Sequence, residues 1–177
     1  MTANLFGDFV KGRDYSKYSG EIQKGITLHR GIDYYIDTHP KVIELLHLLY
    51  PELPKVAGIA VDLYFDHLLS KRWNSFHAKE LNDFLKGFYS NNNAFNHEYS
   101  SPFQHMMENL IRYNYMAQYS TEEGLEKMCK GVGNRITFNN ELYKGKDVFL
   151  KYEQRIIEAF DGYMNDAIPY FESWNSK

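Results

Sequence analysis

Apolar side chains recur every three or four residues along almost the whole of this 177-residue chain, which is the spacing of one face of an α-helix. No alternation of apolar and polar residues is long enough to predict a β-strand. After a short element over residues 3–12, the pattern predicts helices over about 20–37, 40–50, 55–72, 78–95, 102–118, 120–133 and 139–172. We therefore predict an all-α fold of about seven helices, with residues 1–177 forming one domain.

Capping and turn residues place the predicted helix ends. Pro40 suits the first turn of a helix, and Ser120 with Glu123 three residues later resembles a capping box. The polar stretch NNNAFNHEYSS predicts a connection between two helices. Three residues could kink the last helix: Gly145, Gly162 and Pro169. None of these connections is long enough to predict a linker between domains.

The stretch GITLHRGIDYYIDTHP, residues 25–40, puts polar side chains where a helix should face the core. At about 100° per residue, the apolar stripe of this helix contains Ile22, Ile26 and Ile36. His29 and Asp33 fall within the stripe, and Asp37 lies at its edge. Burying an ionised carboxylate without a partner is very costly, so a compensating group must be present.

A second stretch, VAGIAVDLYFDHLLSKRW, residues 56–73, shows the same anomaly. Its helix is apolar almost all the way round, which is typical of a helix in the middle of a domain. Its strongly polar side chains before residue 70 are Asp62, Asp66 and His67. Asp62 and Asp66 are four residues apart and project together. We therefore expect acids and an imidazole to face inward from both helices.

Two arrangements could satisfy these side chains. They could form a hydrogen-bonded polar core, or they could enclose a hard divalent cation such as Mn²⁺, Mg²⁺ or Zn²⁺. Asp8, which lies among apolar neighbours in LFGDFVKG, is a third candidate carboxylate. A cation would neutralise the buried charge and generate a hydroxide-like nucleophile from bound water. The adjacent acids and histidines of two helices favour the metal site.

Each candidate also has a simpler explanation. A buried histidine is commonly a core residue whose hydrogen bonds are satisfied. Asp33 and Arg30 could form a pair on the helix surface. Asp37 could end its helix or cap the next one, and Asp62 could be an exposed helix acid.

Composition narrows the classes of protein. The net charge of −3 argues against a nucleic-acid-binding protein, although cations exceed acids over residues 1–30. The single cysteine, Cys129, excludes an internal disulfide and fits a reducing compartment. The sequence shows neither a secretory signal pattern nor an apolar run that could span a membrane. We expect a soluble, cytoplasmic protein without a membrane or nucleic-acid partner.

Four motifs follow one another in order: GDFVKG, GIxLHRxID, DTHP and DxxxDHxLxxxW. In these motifs the sequence resembles the acyl carrier protein phosphodiesterase family, also called acyl carrier protein hydrolyase, continuously from Ala3 to about Trp73. After Trp73 the resemblance weakens to a shared helical pattern. It implies an HD-like helical domain of a divergent HD-type phosphohydrolase. It also implies hydrolysis, dependent on Mn²⁺ or Mg²⁺, that releases 4′-phosphopantetheine from a serine of holo-acyl carrier protein.

The resemblance also implies site residues. The positions that match the family's proposed metal and catalytic centre are Asp8, His29, Asp33, Asp66 and His67. We predict as metal ligands Asp8, His29, Asp66 and His67, and as catalytic residues Asp33, Asp62, His67 and Arg30. Asp37 and His39 are expected to support the ligands from outside.

Cations near these motifs are candidates for binding the substrate. Arg30 or Arg72 could steady the phosphate, because a guanidinium matches its oxygens in bidentate fashion. An acyl carrier protein is strongly acidic, so the basic N-terminal third together with Lys71 and Arg72 is a candidate docking surface. Two alternatives stay open. One is an HD-type phosphohydrolase of a nucleotide or other small phosphodiester, and the other is a helical module that binds the carrier without turnover.

One departure from the family pattern concerns the N-terminus. Family members usually begin with a segment of the type N-F-L-A-H-x-x-L, and nothing in this sequence from Met1 onward corresponds to it. We therefore expect one histidine near the metal centre to be absent. Either the natural start lies further upstream, or this copy has a reduced site and reduced activity.

Overall fold

Helices make up the secondary structure of the described part of the chain, which contains no strand. The computed structural model describes residues 1–91 and 96–174. The helices in these ranges are α1 (Thr2–Leu5), α2 (Gly20–Thr38), α3 (Pro40–Leu49), α4 (Ala57–Lys71), α5 (Leu81–Ser90), α6 (Ser101–Tyr113), α7 (Tyr115–Gln118), α8 (Glu122–Gly133) and α9 (Gly145–Trp174). Short 3₁₀ turns cover Phe6–Phe9, Trp73–Ser75 and Leu142–Lys144. The predicted all-α fold is confirmed.

The chain divides into two compact units. The first comprises Met1–Tyr35 and His77–Ala117, and the second comprises Ile36–Phe76 and the chain from Gln118 onward. No helix in the described ranges is both long enough and apolar enough to cross a membrane.

Phe6 lies at the centre of the core of the first unit. Its ring is fully buried and makes edge-on contacts, with centroids 4.9 Å from Tyr99 and 5.1 Å from Phe103. Edge-on packing of this kind is a favoured arrangement of aromatic rings. Ile22 and Ile26 of α2 are buried in the same cluster, so this part of the predicted apolar stripe faces a core, whereas Ile36 is only half-buried and belongs to the second unit.

Helix α4 provides much of the core of the second unit, where it packs against α3, α8 and α9. Its buried side includes Tyr64, whose hydroxyl donates a hydrogen bond of 2.7 Å to the carbonyl of Gly145. The opposite side carries an exposed stripe at Gly58, Asp62 and Asp66. The prediction of a helix buried on all sides is therefore wrong, because the two acids occupy a solvent-facing edge.

Several predicted helix ends differ from the structure. The helix predicted over 102–118 is broken at Asn114, whose φ of 46° lies in the left-handed region. Helix α8 is capped by Thr121, whose hydroxyl accepts a hydrogen bond from the Gly124 backbone N–H, so the predicted capping box at Ser120 is wrong. Residues 92–95 of the predicted NNNAFNHEYSS connection lie outside the described residues.

The last helix departs from helical geometry at Tyr152 rather than at either glycine or the proline named from the sequence. Tyr152 has φ −116° and ψ 17°, and its hydroxyl donates a hydrogen bond to Glu52. Pro169 is accommodated inside α9. A tertiary contact, which has no local sequence signature, therefore accompanies the irregular turn.

Candidate active site

An imidazole lies between two carboxylates in the first unit. His29 Nε2 is 3.1 Å from Asp8 Oδ1 and 3.2 Å from Asp33 Oδ2. The His29 side chain is only 16% exposed, whereas the Asp8 and Asp33 side chains are 73% and 56% exposed. We call these three residues the His29 cluster. Its acids reach solvent, so the expectation of buried acids in this helix is wrong.

The charges of the His29 cluster support one another. The hydrogen bond to Asp8, together with the negative charge of Asp33, raises the pKa of His29, although burial opposes this effect. The same hydrogen bond lowers the pKa of Asp8 against the opposing effect of burial. The cluster therefore favours an imidazolium that donates from Nε2 to a carboxylate.

Two glycines let the N-terminal segment approach α2 closely enough to form this cluster. A Cβ atom on Gly7 would overlap the His29 ring and lie 2.6 Å from the His29 Cβ atom. A Cβ atom on Gly25 would lie 2.5 Å from the backbone carbonyl carbon of Ala3. The backbone of Gly7 therefore packs directly on the His29 side chain, and the backbone of Gly25 packs directly on Ala3. Asp8, which follows Gly7, is thereby brought to His29.

Arg30 holds a loop rather than facing an open site. Its Nη2 atom donates hydrogen bonds to the carbonyls of Gly12, at 2.6 Å, and of Val10, at 3.3 Å. Its guanidinium also lies over the ring of Tyr15, 4.9 Å from the centroid. These contacts occupy part of the guanidinium fork that was expected to grip phosphate. The predicted catalytic and phosphate-binding roles stay predictions.

His67 of α4 is fully buried in the second unit. Its Nδ1 atom lies 2.7 Å from the carbonyl oxygen of Tyr119 and must donate there, because a carbonyl only accepts. Burial lowers the pKa of His67, partly offset by this hydrogen bond. In the neutral ring the lone pair is then on Nε2, which is buried without a hydrogen-bond partner among the described residues. An unpartnered imidazole nitrogen is suited to bind a cation or accept a proton.

Asp66, next to His67, is reached by solvent yet surrounded densely by protein. Desolvation raises the pKa of its carboxyl from 3.8 to about 6. An accessible acid with a strongly raised pKa is typical of functional sites, where a carboxyl is tuned towards neutral pH. Asp62, one turn earlier, is exposed. The expectation that both acids are buried is wrong, but Asp66 has the electrostatics expected of a site residue.

The raised pKa of Asp66 predicts how stability depends on pH. The folded state binds the proton more tightly than the unfolded state, so ionisation opposes folding. In metal-free buffer, stability should therefore fall as pH rises from about 4 to about 6. Asp66→Asn should flatten this dependence and melt at a higher temperature at neutral pH, as measured by thermal unfolding across that range. Asp147→Asn, a control at an exposed acid, should keep the wild-type slope, and an unchanged slope in Asp66→Asn would contradict the prediction.

The cations predicted to bind substrate through α4 are paired with acids of α9. Lys71 Nζ lies 3.9 Å from Glu153, and Arg72 donates a short hydrogen bond to Asp161. Each contact joins residues far apart in the sequence, so neither partner could be predicted from the local pattern. Their roles in substrate binding stay predictions, but their charges are already partly compensated.

The residues expected to support the ligands have different surroundings. His39 is buried, with Nε2 3.2 Å from Asp166 and its ring edge-on to Tyr163. Asp37 is exposed near the end of α2. The structure thus brings Asp8, His29 and Asp33 together in the first unit, whereas Asp62, Asp66 and His67 share one helix of the second. The predicted roles of Asp8, His29, Asp66 and His67 as metal ligands stay predictions.

Two features that position these side chains were missed by the sequence reasoning. Gly7 lies in the GDFVKG motif, and a glycine directly before a candidate acid is a signal that could have indicated close packing. The Tyr119 carbonyl, which selects the tautomer of His67, has no side-chain signal at all.

Within the described ranges, no group of three or more histidine, cysteine, aspartate or glutamate side chains is arranged as a metal site.

The fold and the His29 cluster define an all-α protein with an acid–imidazole centre. The sequence of the chain is also similar to those of known proteins. The family described as acyl carrier protein phosphodiesterase matches residues 1–167. A curated protein with that name from Photorhabdus laumondii subsp. laumondii is 32% identical over 138 residues, which cover 76% of this chain and 69% of the relative. The chain belongs to the acyl carrier protein phosphodiesterase family.

Other relatives carry the same name. The protein from Enterobacter sp. (strain 638) is 27% identical over 136 residues, 76% of this chain and 70% of the relative. The protein from Yersinia enterocolitica is 39% identical over 74 residues, 42% of this chain and 38% of the relative. No solved structure matches the chain significantly. The family match extends far beyond the region from Ala3 to Trp73 that carries the motifs.

Proposed function

We propose that the chain hydrolyses the phosphodiester that joins 4′-phosphopantetheine to a serine of holo-acyl carrier protein. Water adds to phosphorus, the bond from phosphorus to the serine oxygen breaks, and the serine oxygen takes up a proton. The products are apo-acyl carrier protein and free 4′-phosphopantetheine. The observation that carries this proposal is the His29 cluster, which lies in the motif region of a chain of the acyl carrier protein phosphodiesterase family.

The side chains of the cluster suit this reaction. In the metal-free cluster, the imidazolium of His29, held by Asp8 and Asp33, provides a positive charge that could stabilise the anionic phosphate. The accessible carboxyl of Asp66 titrates near pH 6 and could exchange a proton with water. Within its own unit, each of these two groups has a shifted pKa, as is typical of residues in functional sites.

We also propose that a hard divalent cation, Mn²⁺ or Mg²⁺, assists the reaction. Asp8, Asp33 and the Nε2 atom of His29 are donors of the right chemistry, and their close approach would be relieved by a cation that replaces the proton on Nε2. In the second unit, Asp66 and the unpartnered Nε2 atom of His67 are proposed separately as donors to a cation. A bound cation would stabilise negative charge on the phosphate and activate water. The adjacent Asp66-His67 pair on an all-α fold supports assignment to the HD type.

The reaction is tested by weighing the carrier. Holo-acyl carrier protein incubated with the chain and Mn²⁺ should lose the mass of one phosphopantetheine group, as read by intact-protein mass spectrometry. Chelation of the metal should slow the conversion, and Asp8→Asn purified in parallel should remove most of it. The control excludes a contaminating hydrolase, because contamination would survive the substitution.

Other outcomes would decide between the alternatives. Hydrolysis of a small phosphodiester with an unchanged carrier mass in Mn²⁺ and Mg²⁺ would overturn the proposal in favour of another phosphohydrolase. Binding of the carrier with no hydrolysis of either substrate would favour a binding module.

A further inference from the structure

Four exposed cations lie along the chain between Asp8 and His29, three in the loop before α2 and one in the first turns of α2. They are Lys11, Arg13, Lys17 and Lys24, and we call them the basic loop surface. None of them forms an ion pair with any residue in the described ranges. Lys17 lies over the ring of Tyr18, at 5.0 Å from its centroid. The segment from residue 10 to residue 24 contains only two acids, so its charge is positive overall.

Exposed lysines elsewhere in the chain commonly pair with an acid one helical turn away. Examples are Lys86 with Asp83, Lys127 with Glu123, and Lys144 with Glu141. Such pairs leave little net charge for a partner to recognise. The basic loop surface is different, because none of its four cations forms an ion pair with a described residue; Asp14 attracts Lys17 only as a weaker, longer-range interaction.

Two carboxylates, one in this segment and one from elsewhere in the same unit, accept hydrogen bonds from uncharged donors. Asp14 accepts hydrogen bonds from the backbone N–H and the hydroxyl of Ser16, which lower the pKa of Asp14. Glu98, from the same unit, accepts a hydrogen bond of 2.6 Å from the backbone N–H of Ser19. These carboxylates fix the path of the loop and leave its cations directed to solvent.

The loop is held along one face of α2. Gln23, Thr27 and Arg30 are spaced four and three residues apart, so they lie on the same face. Gln23 donates to the carbonyl of Tyr18 at 2.7 Å, Arg30 donates to the carbonyl of Gly12, and Thr27 shares a hydrogen bond with a tyrosine hydroxyl. The cations are therefore presented on an anchored segment, which costs less ordering entropy on binding than a free chain end.

The loop that carries the basic loop surface is connected at both ends to residues of the His29 cluster or their neighbours. Arg30 directly follows His29, and the 3₁₀ turn that carries Asp8 leads into the loop. A protein that contacts the loop would therefore be brought beside the His29 cluster. Long-range attraction by unpaired charges raises the rate of such an encounter.

We propose that the basic loop surface docks an acidic face of the carrier protein, whose carboxylates meet Lys11, Arg13 and Lys17 while the modified serine approaches the His29 cluster. This inference rests on the proposed function and names its partner contact. It replaces Lys71 and Arg72 as the principal docking site, because those cations are already engaged by acids of α9. The recognised chemistry is a set of protein carboxylates, rather than the phosphate of the substrate.

The test compares two triple variants with the same change of net charge. Lys11→Gln/Arg13→Gln/Lys17→Gln should raise the KM for holo-carrier and the Kd for labelled holo-carrier by about tenfold, while kcat stays within about twofold. The increase should shrink as salt is added, because exposed charges are screened. The control Lys86→Gln/Lys127→Gln/Lys144→Gln should behave like the wild type, because its lysines form only weak surface pairs. Hydrolysis of bis(4-nitrophenyl) phosphate should be equal in all three proteins.

Each result has a defined meaning. An unchanged KM and Kd in the loop variant at low salt, or an equal loss in the control, would overturn the docking surface. If the wild type hydrolyses only the small diester, the proposed function fails, and the binding measurement still decides the inference. Carrier binding that is lost in the loop variant alone supports the surface, and the absence of carrier binding to the wild type overturns it.

Discussion

His29→Ala is expected to lose carrier hydrolysis almost completely, with a decrease in kcat/KM of about 100-fold to 10,000-fold. The substitution removes the group that lies between Asp8 and Asp33, and therefore a candidate metal ligand. It also leaves two carboxylates facing each other without the intervening positive charge. Initial rates of apo-carrier formation at saturating Mn²⁺, measured by mass spectrometry, provide the test.

The matched control for this prediction is His47→Ala. His47 is exposed on α3, in the second unit, so the same chemical change there should leave the rate within about twofold of the wild type. Retention of more than half of the wild-type rate in His29→Ala would show that the His29 cluster is not the reaction centre. The proposal for Asp66 and His67 would then have to stand without the cluster.

The same variant makes a prediction about pH and stability. The pKa of His29 is raised above its ordinary value of 6.5 by Asp8 and Asp33, so the folded state favours the protonated ring. This contribution is fully present below about pH 6.5 and is lost as pH rises through the raised pKa. In metal-free buffer, the melting temperatures of wild type and His29→Ala should therefore converge as pH rises. A difference that grows with pH would contradict the ion-pair arrangement.

The helical architecture could be predicted because it depends on short-range periodicity. The apolar spacing in the sequence of α2 places Ile22 and Ile26 on one face, and both are buried in the structure. Pro40 begins α3 because proline is tolerated where the first helical N–H groups have no partner. The break at Asn114 was not predicted, since a left-handed residue inside an otherwise periodic pattern leaves that pattern unchanged.

Burial was predicted less well than periodicity. The residue pattern correctly indicated that His67 lies inside, but it also placed Asp62 inside, which is exposed. A helix can bury a wide apolar face and still expose a narrow edge, and small residues such as Gly58 on that edge give little polar signal. The number of neighbours that a helix packs against is a tertiary property.

The contacts of the candidate site could be predicted from the sequence only where one motif residue contacts another. Asp8 and Asp33 were named from the sequence, and both lie close to His29. The acids that pair with Lys71 and Arg72 could not be named, because they are more than 80 positions away in α9. Arg30 was expected to face phosphate, but a guanidinium can equally bind backbone carbonyls, and residue type does not distinguish the two.

Gly7→Ala tests whether the site depends on close packing, because it removes none of the chemical groups of the site. The φ of Gly7 lies outside the left-handed region, so the backbone itself would accept alanine. The difficulty is contact, because the new Cβ atom would overlap the His29 ring. Either the ring moves off its two carboxylates or the turn that carries Asp8 moves away from α2.

We expect Gly7→Ala to lower the free energy of unfolding by about 1–3 kcal/mol, which is the usual range for an overpacked site. In a chain of this size, each kcal/mol lowers Tm by about 2–4 °C. Carrier hydrolysis should fall by at least about tenfold even where the protein is fully folded, because displacement of a catalytic group is costly. Gly20→Ala is the control, since a Cβ atom there meets nothing within 4 Å and alanine favours a helix. Thermal unfolding and initial rates at a temperature below both transitions separate the two effects. Wild-type rate and stability in Gly7→Ala would mean that the His29 ring does not rest on this backbone, and the geometry proposed for the cluster would be wrong.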